Sequence, residues 1–399
     1  MGCIVNKLVY NNLCFFLLGL LVFSTLSSTI TLEVLHTPFS LPELLFVPFM
    51  FLLRGKFRTC SFDVSRFLIS CIGLVFLVAL GALIEGYTLY ELFADMRAWI
   101  YLFLFYFIFK RDNDIHDTDL MYLSFGSLVG WLFASLMNIR LTLINSELSI
   151  TYGAMLAIPI FLSTVIQKRK KILLILGFAV MVVIFFSSGI RRVLVPIFVS
   201  LLIIVFLYLR KNKRRIPAVL VVSTILIIGI VSLLPLIEEL VKGTSYALYH
   251  RIFVRTETLL TEGADASDTA RINNFKYLFD NIIYYTFPHG LISLQTGARE
   301  GIGIFNDFPL LQVCHIFGWP MTIFFIIHFL KITISNRKCF IMTNNTDCIV
   351  AYTSLIVMFA LLFLEGAFLE YPFATPITGL ILGRASRYRN VVWIQNREI

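Results

Sequence analysis

Long apolar stretches separated by short polar loops run through most of the chain. A membrane-spanning helix needs about 20 mainly apolar residues, and about twelve stretches approach that length. The predicted spans are 12–32, 40–53, 67–84, 92–109, 119–138, 149–166, 172–188, 192–209, 217–236, 308–330, 348–366 and 372–383. The pattern predicts an all-α polytopic membrane protein with about twelve transmembrane helices.

The charges of the loops alternate along the chain. Basic residues cluster in every second loop, at 54–66, 110–111, 167–171, 210–216, 331–338 and 384–397. The loops between them are mostly acidic or neutral, and they include Glu85 and Glu365. Because loops rich in Lys and Arg stay in the cytoplasm, we expect both termini to be cytoplasmic in a bacterial inner membrane.

One loop is far longer than the others. Residues 237–307 separate the ninth and tenth predicted spans and fall on the outer (periplasmic) side, whereas packed helices are usually joined by roughly 2–8 residues. Within the loop, apolar residues at helical spacing predict a helix over 271–285, which Pro288 and Gly290 end. Its apolar stripe is expected to pack on the membrane surface or on the helical bundle. We treat residues 1–399 as a single membrane domain with this loop inserted.

Composition supports a membrane protein and excludes several other classes. The chain is 58% hydrophobic and 14% charged, with a mean hydropathy of +0.86, whereas ordinary soluble domains are roughly 25% charged. The net charge of +9 follows the loop pattern, so it indicates topology and no nucleic-acid partner. The seven cysteines form no CxxC pair, so no metal site or disulfide framework is expected. No nucleotide-binding glycine motif, HExxH or GxSxG occurs, and no cofactor is predicted.

Arg191 and Arg192 break the charge pattern. They stand at the outer end of spans seven and eight, after Ser188 and Gly189, where positive charge is disfavoured. One interpretation is that the helix end is placed wrongly and that the two arginines are an ordinary topology signal. The other is an anion site, because arginine binds phosphate through a bidentate fork and a helix start favours anions.

Other charged residues also lie where a plain bundle would not place them. Asp95 and Arg97 lie in the outer part of span four, as either a functional pair or a strut between helices. Arg251, Arg255, Arg271 and Arg299 in the outer loop form either a solvated face or a set that folds down on an anionic head group. Arg271 is the best candidate, because it opens the predicted loop helix.

Polar residues near the start of span ten are candidates for a catalytic base. His289 either shapes a turn beside Pro288 or accepts a proton at neutral pH. Asn306 and Asp307 lie at the mouth of the span, and His315 within it is expected to bond a neighbouring helix. The hypothesis is that His289, Asn306 and Asp307 meet the arginines over the outer leaflet, with Glu365 as a further candidate base.

Three features together resemble the O-antigen polymerase (Wzy) family, within the O-antigen polymerase and ligase superfamily. Arg191 and Arg192 follow Ser-Ser-Gly at the outer end of a span. Arg271 opens a loop helix that is followed by Phe287–Leu291. The polar pair Asn306-Asp307 then precedes an apolar helix containing Gly318. Ligases of the superfamily usually have His-Asn at this place, whereas this chain has Phe305-Asn306, which favours the polymerase.

The resemblance implies a metal-independent glycosyltransferase on the outer side of the inner membrane. A growing glycan on undecaprenyl pyrophosphate would be the donor, and a lipid-linked repeat unit would be the acceptor in the synthesis of O-antigen or a similar surface polysaccharide. Arg191, Arg192, Arg271, Asn306 and Arg97 would bind substrate, since arginines can stabilise a pyrophosphate leaving group without a metal. His289 or Asp307 would be catalytic. A chain-length regulator and a flippase in the membrane would be compatible partners.

Two alternatives remain open at this point. An O-antigen ligase would transfer the finished glycan to lipid A core. A lipid-linked oligosaccharide flippase would have a similar number of spans, although such transporters often show two related halves, which this sequence lacks.

Overall fold

Helices make up nearly all of the regular structure in the computed structural model of the protein. The structure describes residues 2–23, 31–34, 37–40, 63–110, 115–145, 155–188, 193–211, 279–292, 309–364 and 374–387, with a few short pieces between 44 and 48, between 235 and 277, and at 369. The α-helices, named in chain order, are α1 (Gly2–Leu21), α2 (Val64–Ile84), α3 (Leu89–Lys110), α4 (Asp117–Asn145), α5 (Ala157–Gln167), α6 (Lys171–Ser188), α7 (Leu194–Lys211), α8 (Pro309–Phe317), α9 (Trp319–Thr343), α10 (Thr346–Leu361) and α11 (Thr375–Arg387).

Several of these helices are apolar enough to cross a membrane. Among the described residues, three helices are both long and apolar enough to span a membrane: Val64–Ile84, Glu91–Lys110 and Asp117–Leu136. Shorter apolar helices are Tyr10–Leu21, Ala157–Gln167, Lys171–Phe185, Leu194–Leu207 and Thr346–Leu361. The chain is therefore compatible with a helical membrane protein. The predicted spans 40–53 and 217–236 lie largely or wholly outside the described residues.

A short hairpin stands where the sequence predicted the end of span one. Strands β1 (Thr31–Val34) and β2 (Thr37–Ser40) pair antiparallel, with Thr31 opposite Ser40. Apart from this short hairpin, the regular structure of the described residues is helical, as predicted, and α1 begins earlier than predicted. Threonine and valine favour extended backbone, so the end of this apolar stretch forms a strand instead of a further helical turn.

The prediction of one continuous helix over 308–330 was wrong. Gly318 divides this stretch into α8 and α9, with φ at +77°. Its N–H donates to the carbonyl of Cys314 at 2.8 Å, which ends α8, and Pro320 in the first turn of α9 suits a new helix start. The break turns the last residues of α8 towards the loop segment described below.

Helix α11 packs closely along α3 through a small-residue motif. Gly379 and Gly383, four residues apart, face the α3 backbone. A Cβ added at Gly379 would lie 2.3 Å from the carbonyl oxygen of Leu102, and one at Gly383 would lie 2.6 Å from that of Tyr106. Such close backbone approach is typical of helix association in membranes. The hydrophobic effect does not drive helices together in lipid, and small residues let their backbones pack closely instead.

Charged side chains join several helices at one end of the bundle. Arg384 is buried, forms an ion pair with Asp347, and donates from Nη1 to the carbonyl of Ile115 at 3.3 Å. Lys168 and Asp117 pair at 3.1 Å. The loop charges predict that these positions belong to one side of the membrane, and in the structure they share one end of the bundle.

A separate hydrophobic cluster forms beside the main core. It joins α2 and α3 to the segment around Tyr285 and to α8, through Leu77, Trp99, Leu291 and Leu311. The other face of α2 exposes large apolar side chains, including Ile69, Ile72, Phe76 and Leu83. Helix α2 therefore has one face on protein and one face suited to lipid.

Candidate functional site

The candidate site lies where α2 ends. Helix α2 stops at Ile84, and Glu85 caps it with a backbone N–H bonded to the carbonyl of Gly81 at 3.1 Å. Gly86 follows with φ at +73°, a conformation that lets the chain leave a helix sharply. The Glu85 side chain thus stands at the end of an apolar helix, at the edge of the second hydrophobic cluster.

The second part of the site is the loop segment that follows residue 279. The predicted helix over 271–285 is helical at the described residues up to Asp280, continues as a turn, and becomes a 3₁₀ helix at Tyr284–Thr286. From Phe287 the chain is irregular. The N–H of Leu291 donates to the carbonyl of Leu77 at 3.0 Å, which fastens the segment to α2.

Two glycines allow this close approach between the segment and α2. Gly290 has φ at +92°, and a Cβ there would lie 2.3 Å from both the nitrogen of Gly81 and the carbonyl oxygen of Leu77. A Cβ on Gly81 would lie 2.4 Å from the carbonyl oxygen of Leu291. No side chain fits between the two backbones, so His289 is held at a fixed distance from α2.

His315 completes the site from α8. Carbonyl groups in the last turn of a helix have no intrahelical partner, and the carbonyl of His315 accepts from the N–H of His289 at 2.9 Å. Gly318 brings the end of α8 against the segment, since a Cβ there would lie 2.7 Å from the carbonyl oxygen of Thr286. The break in the predicted span therefore places His315 beside His289.

Three side chains converge on one carboxylate oxygen of Glu85. The Tyr284 hydroxyl donates to Glu85 Oε1 at 2.9 Å. His289 Nδ1 lies 3.3 Å from the same oxygen and His315 Nε2 lies 3.7 Å from it. The Tyr284 and His289 rings stack with centroids 4.0 Å apart, and the buried Tyr285 ring packs against both imidazoles. We call Glu85, Tyr284, His289 and His315 the Glu85 cluster.

The geometry fixes where one proton of His289 resides. Nε2 lies 2.9 Å from the carbonyl oxygen of Tyr284, and a carbonyl can only accept, so Nε2 carries a hydrogen. Nδ1 then faces Glu85 Oε1 at 3.3 Å, a separation at which the two atoms attract only if one carries a proton. His289 Nδ1 is buried and has no hydrogen-bond partner among the described residues, so the imidazole and the carboxylate lie side by side without a hydrogen bond between them.

Tyr284 is a permanent donor in this arrangement. Burial, and then the hydrogen bond to Glu85, raise the pKa of the Tyr284 phenol well above its ordinary value. The hydroxyl therefore stays protonated at neutral pH and orients the Glu85 carboxylate through its hydrogen bond.

The second oxygen of Glu85 is open. Among the described residues, no hydrogen bond or ion pair engages Oε2, and the side chain is 21% exposed. Both ring nitrogens of His289 are directed at protein groups. A proton from an incoming molecule would therefore reach the cluster at Oε2 of Glu85.

The structure describes only some of the residues that the sequence indicated. His289 lies in the Glu85 cluster. Arg97 is half-buried on α3, whose residues Leu92 and Trp99 pack in the same hydrophobic cluster as Tyr285. Residues outside the described part of the chain are Arg191, Arg192, Arg271, Asn306, Asp307 and Glu365.

Sequence reasoning missed three members of the cluster, and one of them, Tyr284, carried no signal that the sequence analysis used. Glu85 served only to mark an acidic loop, and His315 was expected to bond a neighbouring helix. The signal for Glu85 was a carboxylate directly after a long apolar span, followed by glycine. Within the described part of the chain, no group of three or more His, Cys, Asp or Glu side chains is arranged to hold a metal ion.

Comparisons with protein-family models, with curated proteins and with solved structures found no match to this chain.

Proposed function

We propose that this chain is a membrane-embedded glycosyltransferase that polymerises lipid-linked oligosaccharide units on the outer side of a bacterial inner membrane. The resemblance to the O-antigen polymerase family suggests the reaction, and the Glu85 cluster is the observation that supports it best. It offers a carboxylate with one oxygen anchored by Tyr284 and with no partner for the other oxygen within the described part of the chain. This is the arrangement that general-base activation of a sugar hydroxyl requires.

In the proposed reaction, the acceptor hydroxyl gives its proton to Oε2 of Glu85. Its oxygen forms a bond to the anomeric carbon of the donor sugar while the bond from that carbon to the pyrophosphate oxygen breaks. The leaving pyrophosphate keeps the electron pair. Its negative charge would be balanced by the predicted arginines Arg191, Arg192 and Arg271, with Asn306 and Arg97 as further contacts.

His289 and Tyr284 would tune the base without touching substrate. The Tyr284 hydroxyl donates to Oε1 of Glu85 and orients the carboxylate, and His289 Nδ1 lies 3.3 Å from the same oxygen. After the transfer, the Glu85 and His289 pair holds one proton more than before, which it must release to water or to the product side. The earlier prediction of His289 as the base is thereby refined to a role exerted through Glu85, with Asp307 as the competing base.

The position of the cluster supports an outer-side reaction. The charge pattern assigns the loop after α2 and the loop 237–307 to the outer side. Tyr284 and His289 come from that loop, and Glu85 follows α2. The buried ion pair of Arg384 with Asp347 belongs to the predicted cytoplasmic side, where both termini are also proposed to lie.

The test is complementation of a strain from which the chain has been deleted, read out as surface glycan on a gel. The wild-type chain should restore long glycan, whereas the deletion should leave lipopolysaccharide with a single repeat. A ligase would instead leave no O-antigen on lipopolysaccharide. A flippase would leave repeat units unexported.

Three variants then locate the base. Glu85→Gln should reduce chain extension by about 10²–10⁴-fold, the range lost when a general base is removed. Glu91→Gln is the matched control, because Glu91 follows the same turn and its Oε2 accepts from the Thr88 hydroxyl at 2.9 Å, outside the Glu85 cluster. His289→Ala should give shorter chains. If Asp307→Asn abolishes extension while Glu85→Gln leaves it intact, Asp307 is the base and the role of Glu85 is refuted.

A further inference from the structure

The loop segment that carries Tyr284 exposes large apolar side chains. Ile283 is 83% exposed and Phe287 is 71% exposed, and Phe279 and Ile282 are also exposed. We call residues 279–287 the apolar segment. The sequence left open whether this stripe packs on the bundle or on the membrane surface. Ile283 and Phe287 keep most of their surface exposed in the described part of the protein, so they are free to contact a neighbour outside the bundle.

The apolar segment is continuous with surfaces that face lipid. At one side, Tyr284 bonds to Glu85, directly after Leu83 and Ile84, which are both exposed at the end of α2. At the other side, the backbone of Thr286 touches Gly318, at the start of α9, where Met321 and Phe324 are exposed. The segment thus bridges the ends of two helices along their exposed apolar faces.

The composition of the apolar segment suits the membrane–water boundary. Tyrosine is enriched where a membrane meets water, because its ring is apolar and its hydroxyl is polar. Tyr284 is exposed along its ring while its hydroxyl bonds to Glu85. A cluster of large apolar side chains directed at water is unusual in a folded protein and indicates a covered surface.

We propose that the apolar segment is seated in the outer leaflet of the bilayer, with Ile283 and Phe287 inserted at the boundary between head groups and acyl chains. The occupant is the lipid surface itself, because the segment adjoins the exposed apolar residues at the end of α2 and the start of α9. Tyr284 belongs to this segment and also holds Glu85, so the lipid contact sets the height of the Glu85 cluster at the level of the head groups.

Photocrosslinking in vesicles tests this placement. Benzoylphenylalanine would replace Phe287 in the full chain, reconstituted in phosphatidylcholine and phosphatidylglycerol vesicles that carry a clickable acyl chain. The same replacement of Phe76, exposed on the mid-part of α2, is the positive control. Replacement of Asn273, an exposed polar residue before the segment, is the negative control.

We expect lipid adducts at Phe287 to match those at Phe76 and to exceed those at Asn273 by about tenfold, as the transfer of a large apolar side chain out of water predicts. If the Phe287 variant does not fold, Ile283 gives an equivalent position. Adducts at both positions no higher than at Asn273 would place the segment in water and overturn the proposal. Adducts to a second copy of the chain in place of lipid would overturn it as well. The experiment does not depend on glycan synthesis, so its failure leaves the proposed function untouched.

Discussion

The close contact of the loop segment with α2 gives a prediction that can be worked out in magnitude. Four glycines near this contact differ in what a methyl group would meet. An alanine at Gly290 would have both a positive φ and a steric clash of its Cβ, whereas an alanine at Gly81 would have only the clash. Gly86 has only the positive φ, and Gly73 has neither, with nothing within 4 Å of an added Cβ. Replacing each by alanine separates backbone strain from overlap.

The expected costs follow from these two terms. A left-handed conformation costs a non-glycine residue about 1–2 kcal/mol, and overpacking a well-packed contact costs about 1–3 kcal/mol. Gly86→Ala should therefore lose about 1–2 kcal/mol and Gly81→Ala about 1–3 kcal/mol. Gly290→Ala carries both terms, about 2–5 kcal/mol. Gly73→Ala should be neutral or stabilising by up to about 1 kcal/mol, since alanine is the better helix former.

The measurement is the unfolding temperature of the purified protein in detergent for all four variants. Limited proteolysis at residues 279–292 should show in parallel whether the segment has been released. The order of loss should be Gly290, then Gly81 and Gly86, with Gly73 last. Chain extension should fall with release of the segment, because His289 then loses its position beside Glu85. A Gly290→Ala variant as stable as Gly73→Ala, with an unreleased segment, would refute the contact itself.

Three further predictions concern topology, anion binding and the opposite end of the bundle. Reporter fusions at residues 170 and 265 should give cytoplasmic and outer signals respectively, because the loop charges alternate; a cytoplasmic signal at 265 would contradict the map. The double variant Arg191→Ala, Arg192→Ala should lose long glycan at normal protein levels. Lysine at both positions should restore little, because it lacks the planar fork of arginine. Full-length glycan from the alanine variant would refute the anion site. Arg384→Ala should cost about 3–5 kcal/mol in thermal unfolding, since it takes the guanidinium from a buried ion pair.

The sequence predicted the elements of the fold better than the connections between them. Apolar length alone located α2, α3, α6 and α7 within three residues at each end, because a span is a local property of the chain. The break at Gly318 was missed, because glycine is common within membrane helices and only its positive φ shows that the helix ends.

The candidate site was predicted in part for a similar reason. His289 was identified from its local surroundings in the outer loop. Glu85 and His315 were not, because their contact with His289 joins three segments that lie far apart in the sequence. Close approach across Gly81 and Gly290 creates the site, and neither glycine carries a local signal that distinguishes it from an ordinary one.

The sparse packing of α2 ties the site to the thickness of the bilayer. Only 22% of its apolar window is buried in protein, and its 21 residues span about 31 Å, close to the hydrocarbon core of roughly 30 Å. A helix held mainly by lipid adjusts its tilt when the membrane becomes thicker or thinner. Glu85 lies at the end of this helix, whereas His315 is buried among protein side chains. His289 stays fastened to α2 through the contact of Gly290 with Gly81, so a change in acyl-chain length would act on the distance between the Glu85 carboxylate and the His315 imidazole.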